Sequence, residues 1–590
     1  MRFPGGTALA SQPAAGGSAE AIGIALAAVV LLITFGSLAA AGLPLLTAVI
    51  GVGVSMCAIL ALGSTLGLTM TTGTLASMLG LAVGIDYALF VVSRYREERA
   101  NGHAPREAAG LAVGTAGSAV VFAGLTVIIA LVGLTVIGVP MLTKMGLCAA
   151  GAVAIAVLVA LTLVPALLGM WPNAVLSRRV RKFREADKRG GNARHHSEAH
   201  DNGGTRWARF VMRRPVTVLL LGVAGLGVLA LPATHLEMGM PGDEAKPTST
   251  TERRAYDALA DGFGAGFNGP LTVVADVKDA TDPQAAAATM AEQIKGTDGV
   301  VSVTPPQFNE AGDTALFSAV PATGPNTEAT KEIVQTIRGE RPDLEADAGA
   351  TFEVTGSTAM NIDVAQALQD ALGPYLAVIV LLSLLLLLLL IVFRSILVPV
   401  KAALGFLLSV LASLGTVVAV FQWGWGAELL GVAQTGPIMS LMPIFLVGIV
   451  FGLAMDYEVF LVARMREAYV HGERPGQAVV TGFRHSARVV AAAAVIMMAV
   501  LSGFIGSGES MIKTIGFGLA VAVLFDAFVV RMALVPAVLA LLGEQAWWLP
   551  RWLDRVLPRV DVEGTALTSQ THPSTSVDVE EHAQEPARTL

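Results

Sequence analysis

The chain contains one hydrophobic segment twice, 370 positions apart, and each copy carries an aspartate followed by a tyrosine. The first copy reads GLAVGIDYALFVVSRYRE from Gly80, and the second reads VFGLAMDYEVFLVARMRE from Val450. A carboxylate inside hydrocarbon costs several kcal/mol unless it is neutral or paired. Its recurrence at matching positions of two halves indicates ion coupling in a transporter that is built from a duplicated unit.

The composition places the chain among membrane proteins. Of its 590 residues, 54% are apolar and only 14% are charged, whereas soluble proteins average about 25% charged residues. The two cysteines, Cys57 and Cys148, lie in apolar stretches, which argues against a disulfide framework. No secretory signal is evident, because the segment before residue 18 has no apolar core.

Eleven segments are apolar enough, over about 20 residues, to be read as spanning helices. They lie near 20–40, 43–63, 71–93, 115–137, 145–170, 215–232, 374–393, 397–421, 437–463, 488–507 and 514–542. The order is therefore five helices, a basic linker, one helix, a large polar segment, and five more helices. The resulting fold class is a polytopic α-helical membrane protein with a duplicated helical bundle.

Basic residues orient these helices, because cytoplasmic loops are enriched in Lys and Arg. Residues 178–214 hold twelve Lys or Arg against four Asp or Glu. Further basic residues flank three other short connections: Arg94, Arg96, Arg99, Arg106, Arg394, Lys401, Arg464, Arg466, Arg474, Arg484 and Arg488. All four regions fall on one side, which we assign to the cytoplasm, so residues 233–373 are expected outside.

The external segment is patterned like a soluble α+β domain. Strands are predicted at 271–277, 300–303, 315–320 and 351–355, and helices at 283–295 and 326–339. This β-α-β-β-α-β order is that of the ferredoxin-like split unit. The predicted divisions are an extracytoplasmic lead-in 1–19, a first bundle 20–170, a cytoplasmic linker 171–214, one helix 215–232, an external domain 233–373, a second bundle 374–543 and a cytoplasmic tail 544–590. The linker is expected to be flexible, and residues 560–590 are expected to be disordered.

The two bundles align, but the lone helix and the external domain precede only the second. Phe35-Gly-Ser37 matches Phe393-Arg-Ser395, and Leu163-Val-Pro165 matches Leu534-Val-Pro536. A complete duplicated transporter would carry a helix and an external domain before both bundles. The expectation is that one helix and one external domain are lacking at the N-terminus.

The Gly-Ile-Asp-Tyr-Ala-Leu-Phe-Val-Val-Ser-Arg-Tyr-Arg-Glu-Glu stretch around Asp86 resembles the signature of the MMPL (mycobacterial membrane protein large) transporters. Later stretches agree, namely 262–270, 526–537 and 547–552. The MMPL proteins are lipid exporters of the resistance-nodulation-division (RND) superfamily. The resemblance implies an RND-type bundle, one porter domain at 233–373, and proton-driven export of lipids or other hydrophobic molecules. Ser118 and Ala123 depart from the pattern, since relatives often carry Arg and Ser there.

The resemblance implies that Asp86-Tyr87 and Asp456-Tyr457 form a proton relay. The alternative is that the acids reach the cytoplasmic interface and that the tyrosines are interfacial aromatics. Burial should raise the pKa of both acids, so that protonation responds to the proton gradient.

Two further sets of residues stand out inside the spans. Asp526 and Arg531 lie in the last one and have no counterpart in the first half, so they are candidates either for the relay or for a structural ion pair. Gly80 and Gly84, and likewise Gly448 and Gly452, lie four residues apart, a spacing that lets helices pack closely. Glu458 has no explanation at this stage.

The sequence predicts no enzyme activity, no cofactor and no metal site. A histidine cluster at 195–200 is interpreted as solvated linker, and no phosphate-binding loop is present to suggest ATP as the energy source. The expected partners are a hydrophobic or lipid substrate, protons and membrane lipids in the cytoplasmic membrane, with no nucleic acid. Homo-oligomers and accessory envelope proteins are left open. The alternative functions are a non-transporting regulator or scaffold, and a remnant that is inactive without the missing N-terminal piece.

Overall fold

The computed structural model describes residues 17–551 except 67, 69, 177–202, 241, 390–394, 433, 471, 508 and 509. The predicted disorder of 560–590 therefore lies outside the described residues. The first half consists of α1 (Gly17–Phe35), α2 (Leu38–Leu66), α3 (Met70–Ala100), α4 (Pro105–Ala112), α5 (Ser118–Gly133) and α6 (Pro140–Met170). Helix α3 is central, since it packs against α2, α6 and a helix of the second half.

Part of the predicted flexible linker is helical. Helix α7 (Gly203–Arg213) is followed after one residue by α8 (Pro215–Ala230), which begins with a proline at its first position. Thr205, Ala208 and Val211 form the buried face of α7, and its arginines lie outside that face. The Trp207 indole N–H donates to the Met532 carbonyl oxygen at 2.7 Å, which fixes α7 to the second half. The sequence interpretation missed this helix because its high charge suggested a solvated loop.

The segment between α8 and the second bundle is a separate α+β unit, which we call the external unit after its predicted location. It contains β1 (Met238–Gly239), α9 (Thr251–Phe263), β2 (Leu271–Asp276), α10 (Pro283–Lys295), β3 (Val300–Val303), β4 (Gln307–Phe308), β5 (Thr314–Pro321), α11 (Glu328–Gly339), α12 (Arg341–Ala348) and β6 (Thr351–Thr355). Its main sheet has the order β3-β5-β2-β6 with antiparallel neighbours, and β4 pairs with β5. This is the strand order of the ferredoxin-like split unit.

Successive side chains of β2 point alternately into the core of the unit and away from it. Leu271, Val273 and Ala275 are fully covered by α10 and α11, while the residues between them are partly exposed.

The second half contains α13 (Ser357–Leu389), α14 (Leu397–Val417), β7 (Ile438–Met439), α15 (Leu441–Val470), α16 (Pro475–Gly503), α17 (Ser510–Leu524) and α18 (Val535–Leu542). Helix α13 begins inside the external unit, earlier than predicted, and continues into the bundle. The predicted last helix is interrupted by a π-helix at Phe525–Leu534. Strand β7 pairs in parallel with β1 and joins the external unit to the bundle.

Eight helical stretches among the described residues are long and apolar enough to cross a membrane, and two shorter apolar helices accompany them. The prediction of a polytopic helical membrane protein is therefore confirmed. The count of eleven spans remains a prediction.

Candidate ion-coupling site in the helical bundle

The first aspartate lies near the middle of a helix that other helices enclose. Asp86 is 3% exposed and Tyr87 is 1% exposed, and the most apolar stretch of α3 is entirely covered. Gly80 and Gly84 make this enclosure possible. A Cβ on Gly84 would lie 3.4 Å from the Ala48 Cα of α2, and one on Gly80 would lie 3.6 Å from the Ala152 Cβ of α6. These two glycines therefore pack α3 within the first half.

Helix α5 joins the two repeated segments. A Cβ on Gly124 would lie 3.7 Å from the Tyr87 ring, so Tyr87 packs against α5. One turn further along α5, Val127 packs against Gly452 of α15. A Cβ added to Gly452 would lie only 2.8 Å from the Val127 Cα. Gly448 faces the Tyr375 hydroxyl, which in turn donates to the Ala130 carbonyl at 3.2 Å. The second glycine pair thus packs against the first half.

The second aspartate lies on the corresponding helix. The backbone of α15 passes through Asp456 and Tyr457, whose side chains lie outside the described residues. The C-terminal parts of α3 and α15 approach each other, because Arg464 Nη2 lies 4.0 Å from Glu97 Oε2. Both residues belong to the repeated segments, so the fold brings the two copies to a common region.

Asp526 and Arg531 form a buried ion pair. Arg531 Nε donates to Asp526 Oδ2 at 2.5 Å, with the side chains 2% and 8% exposed respectively. Both residues lie in the π-helix at Phe525–Leu534. In a regular α-helix, residues five apart do not share a face, and the wider π-turn brings them closer together. π-helical segments occur frequently at functional sites.

A second buried ion pair was not recognised from the sequence. Lys401 Nζ of α14 donates to Glu458 Oε1 of α15 at 2.5 Å, with the side chains 8% and 4% exposed. Lys401 had been counted as a basic residue flanking a cytoplasmic loop, and Glu458 had no assigned role. The signal that was available is an acid in the second repeat where the first repeat has Ala88, together with a lysine inside an apolar helix.

The two ion pairs form one charge cluster, which we define as Lys401, Glu458, Asp526 and Arg531. Lys401 is within electrostatic range of Arg531, and Asp526 is within range of Glu458. Two positive and two negative groups leave the cluster formally neutral, as buried charges require. Glu458 follows Asp456 by two residues, so the cluster and the second Asp-Tyr pair share helix α15.

Comparison with known proteins agrees with this architecture. A model of the MMPL family matches residues 7–218 and 244–561. Membrane protein YdfJ of Bacillus subtilis is 46% identical over 570 residues, which cover 96% of this chain and 76% of that protein. The mycolic acid-containing lipids exporter MmpL11 of Mycolicibacterium smegmatis is 37% identical over 553 residues, covering 92% and 56%. The probable trehalose monomycolate exporter MmpL3 of Mycobacterium leprae is 30% identical over 577 residues, covering 92% and 59%.

The enclosed, duplicated helical bundle and its buried charges define a multi-pass membrane protein of duplicated-bundle architecture. The chain belongs to the MMPL family, which confirms the resemblance read from the sequence. It spans little more than half the length of the MmpL relatives described above.

Proposed function

We propose that this protein is a proton-motive-force-driven exporter of lipids or other hydrophobic molecules across the cytoplasmic membrane. The observation that carries the proposal is the repeated aspartate, one copy of which is 3% exposed inside an enclosed apolar helix. Ionisable groups at such positions mark ion pathways in membrane proteins. The printed names of the MmpL11 and MmpL3 relatives, which describe lipid export, support the class of cargo.

The coupling step follows from burial. An enclosed carboxyl group favours its neutral form, and it ionises only when its surroundings open to water or supply a positive charge. In our proposal, Asp86 and Asp456 take up protons from the outside and release them to the cytoplasm as the bundle alternates between two packings. Tyr87 and Tyr457 position the carboxyl groups through their hydroxyls.

The charge cluster gives the second half a role that the first half lacks. At the positions of Asp526 and Arg531, the first half carries Ile155 and Ala160. In our proposal the cluster takes part in the relay through Glu458, which lies on the same helix as Asp456, and through Asp526. Proton movement would then depend on both Asp-Tyr pairs and on the cluster.

The experiment measures proton flux in pyranine-loaded proteoliposomes, together with outward movement of an NBD-labelled phosphatidylethanolamine probe. We expect Asp86→Asn and Asp456→Asn each to abolish both signals without loss of folded protein, because Asn keeps the shape but cannot release a proton. The double variant should be no worse than either single variant, since the two groups act as a unit. Tyr87→Phe should be milder. Asp261→Asn, an exposed carboxylate on α9, is the matched control.

Three outcomes are distinguishable. Normal coupled flux in both Asp→Asn variants would show that the aspartates are structural. Absence of flux in the unmodified chain, with normal folding, would favour the non-transporting alternative. Asp526→Asn distinguishes two roles of the cluster. Loss of a structural ion pair would lower the amount of folded protein, whereas loss of a relay group would lower the transport rate per folded molecule.

A further inference from the structure

A cavity of about 460 Å³ opens between the beginning of α2 and the end of α6. Its walls are apolar, and they include Ala39, Gly42, Leu46 and Trp171. Leu46 is 51% exposed and Trp171 is 55% exposed, so the cavity opens on the outer surface of the bundle. The volume lies within the range of about 300–1,000 Å³ that is usual for ligand sites.

The cavity lies at the end of the bundle that the distribution of basic residues assigns to the cytoplasm. It is lined by the first turns of α2 and by the turn that follows α6 and leads into the basic linker. Trp171 has the amphipathic character of residues that mark membrane–water interfaces. The apolar groove therefore faces the acyl chains of the cytoplasmic leaflet, near their headgroups.

Two arginines lie beside the turn between α1 and α2. Arg96 Nη2 donates to the Phe35 carbonyl at 3.1 Å, and its guanidinium lies 4.8 Å from the centre of the Phe35 ring. Arg488 Nη2 donates to the Thr34 carbonyl at 3.4 Å, and the two guanidinium groups repel each other. Among the described residues, neither has a carboxylate within salt-bridge distance. An anion bound between the two guanidinium groups would offset their mutual repulsion.

The same turn joins the arginine pair to the cavity. Ser37 Oγ donates to the carbonyl of Ala174, a residue of the cavity wall, at 3.2 Å. Arg99, one turn along α3 from Arg96, donates to Asn173 Oδ1 at 3.1 Å. An elongated ligand with an anionic head could therefore contact the arginines and the groove at the same time.

The second half retains the scaffold but not the ligand-binding features. Ser395 Oγ donates to the Ala546 carbonyl at 2.6 Å, as Ser37 does to Ala174. The larger residues Leu397 and Val400, however, stand at the positions of Ala39 and Gly42. The position that corresponds to Arg488 is Ser118 in the first half, so the matching turn of the second half has no second arginine from that position. Among the residues that the structure describes, the open groove and the two arginines lie together at the turn between α1 and α2.

We infer that this site binds an anionic phospholipid of the cytoplasmic leaflet, with its phosphate at Arg96 and Arg488 and one acyl chain in the groove. Guanidinium groups suit phosphate oxygens geometrically. Basic pockets at the cytoplasmic side of helices are known to recognise anionic headgroups. The inference concerns a resident lipid and does not depend on transport.

The test is native mass spectrometry of the full chain, purified from nanodiscs that contain equal amounts of palmitoyl-oleoyl phosphatidylglycerol and phosphatidylcholine. We expect the unmodified protein to retain phosphatidylglycerol at least fivefold more than phosphatidylcholine. Arg488→Gln should remove this preference while lipid is still retained. Gly42→Val, which places a side chain in open space, should lower retention of both lipids at least threefold.

Matched controls separate the site from general effects. Gly53→Val makes the same change on an exposed face of α2 outside the groove, and Arg254→Gln removes an arginine from the external unit. Both should behave as the unmodified protein does. Equal retention of the two lipids by the unmodified chain would overturn the inference, as would equal losses in Gly42→Val and Gly53→Val. Displacement of the lipid by inorganic phosphate alone would overturn the role of the groove.

Discussion

The buried pair between Lys401 and Glu458 yields a quantitative prediction. Lys401 Nζ lies 2.5 Å from Glu458 Oε1, and both side chains are almost fully buried. At an effective dielectric constant of about 20, this separation corresponds to an attraction of about 7 kcal/mol. Desolvation of the two ions opposes most of it, at several kcal/mol per ion. Removing one partner loses the attraction but leaves the other charge buried.

Lys401→Met is therefore expected to lower the free energy of unfolding by about 3–5 kcal/mol. Methionine keeps the length of the side chain, so the loss reports the charge rather than a cavity. The double variant Lys401→Met with Glu458→Gln removes both charges and should recover most of the stability. The expected coupling energy between the two positions exceeds about 2 kcal/mol, within the range that contacting residues show.

The assay is unfolding by sodium dodecyl sulfate in mixed micelles, followed by tryptophan fluorescence. Lys278→Met is the matched control, because Lys278 lies 2.9 Å from Asp276 on the surface of the external unit. Solvent-exposed ion pairs contribute little to the free energy of unfolding, so this variant should unfold as the unmodified protein does. Equal, additive losses in the Lys401 and Glu458 single variants would refute the reasoning, since they would show no energetic coupling across the pair.

The remaining predictions address orientation and packing. A cysteine at Ser249 should react with an impermeant thiol reagent added outside intact cells, and one at Ser197 should not; labelling of both from one side would contradict the orientation. Gly452→Ala should destabilise the bundle by about 1–3 kcal/mol, because the new methyl group meets the backbone of α5, whereas Gly225→Ala has open space and should be neutral in the same unfolding assay. Trp207→Phe removes the bond that fixes α7 and should cost about 0.5–1.5 kcal/mol; an unchanged unfolding curve would show that this bond is dispensable.

Short-range patterns in the sequence predicted most of the helices and strands. Long apolar stretches predicted the helices, because backbone groups in hydrocarbon must bond within their own segment. Alternation with a period of two predicted the four main strands, and all four begin and end within one residue of the expected positions. The repeat itself was visible because it is a property of the sequence and needs no contact information.

The helices against which the two repeated segments pack could not be predicted from the sequence. The spacing of Gly80 and Gly84 resembles that of Gly448 and Gly452, yet the first pair faces α2 and α6 while the second faces α5 and Tyr375. Identical spacing predicts close packing but does not specify the partner helix, because the partner depends on how the helices are arranged around each other.

The sequence by itself determined the class of protein, the duplication and the two aspartates, since each follows from composition or from spacing within one segment. Only the tertiary structure decided that Lys401 meets Glu458, 57 positions away along the chain, and that Arg96 and Arg488 meet at the end of α1. The physical reason for the first contact is that a buried charge is stable only beside its counter-charge, which a helix far away in sequence supplies. The two arginines, in contrast, are brought together because α3 and α16 both pack against the end of α1. The identity of the neighbour therefore depends on packing, which no single segment encodes.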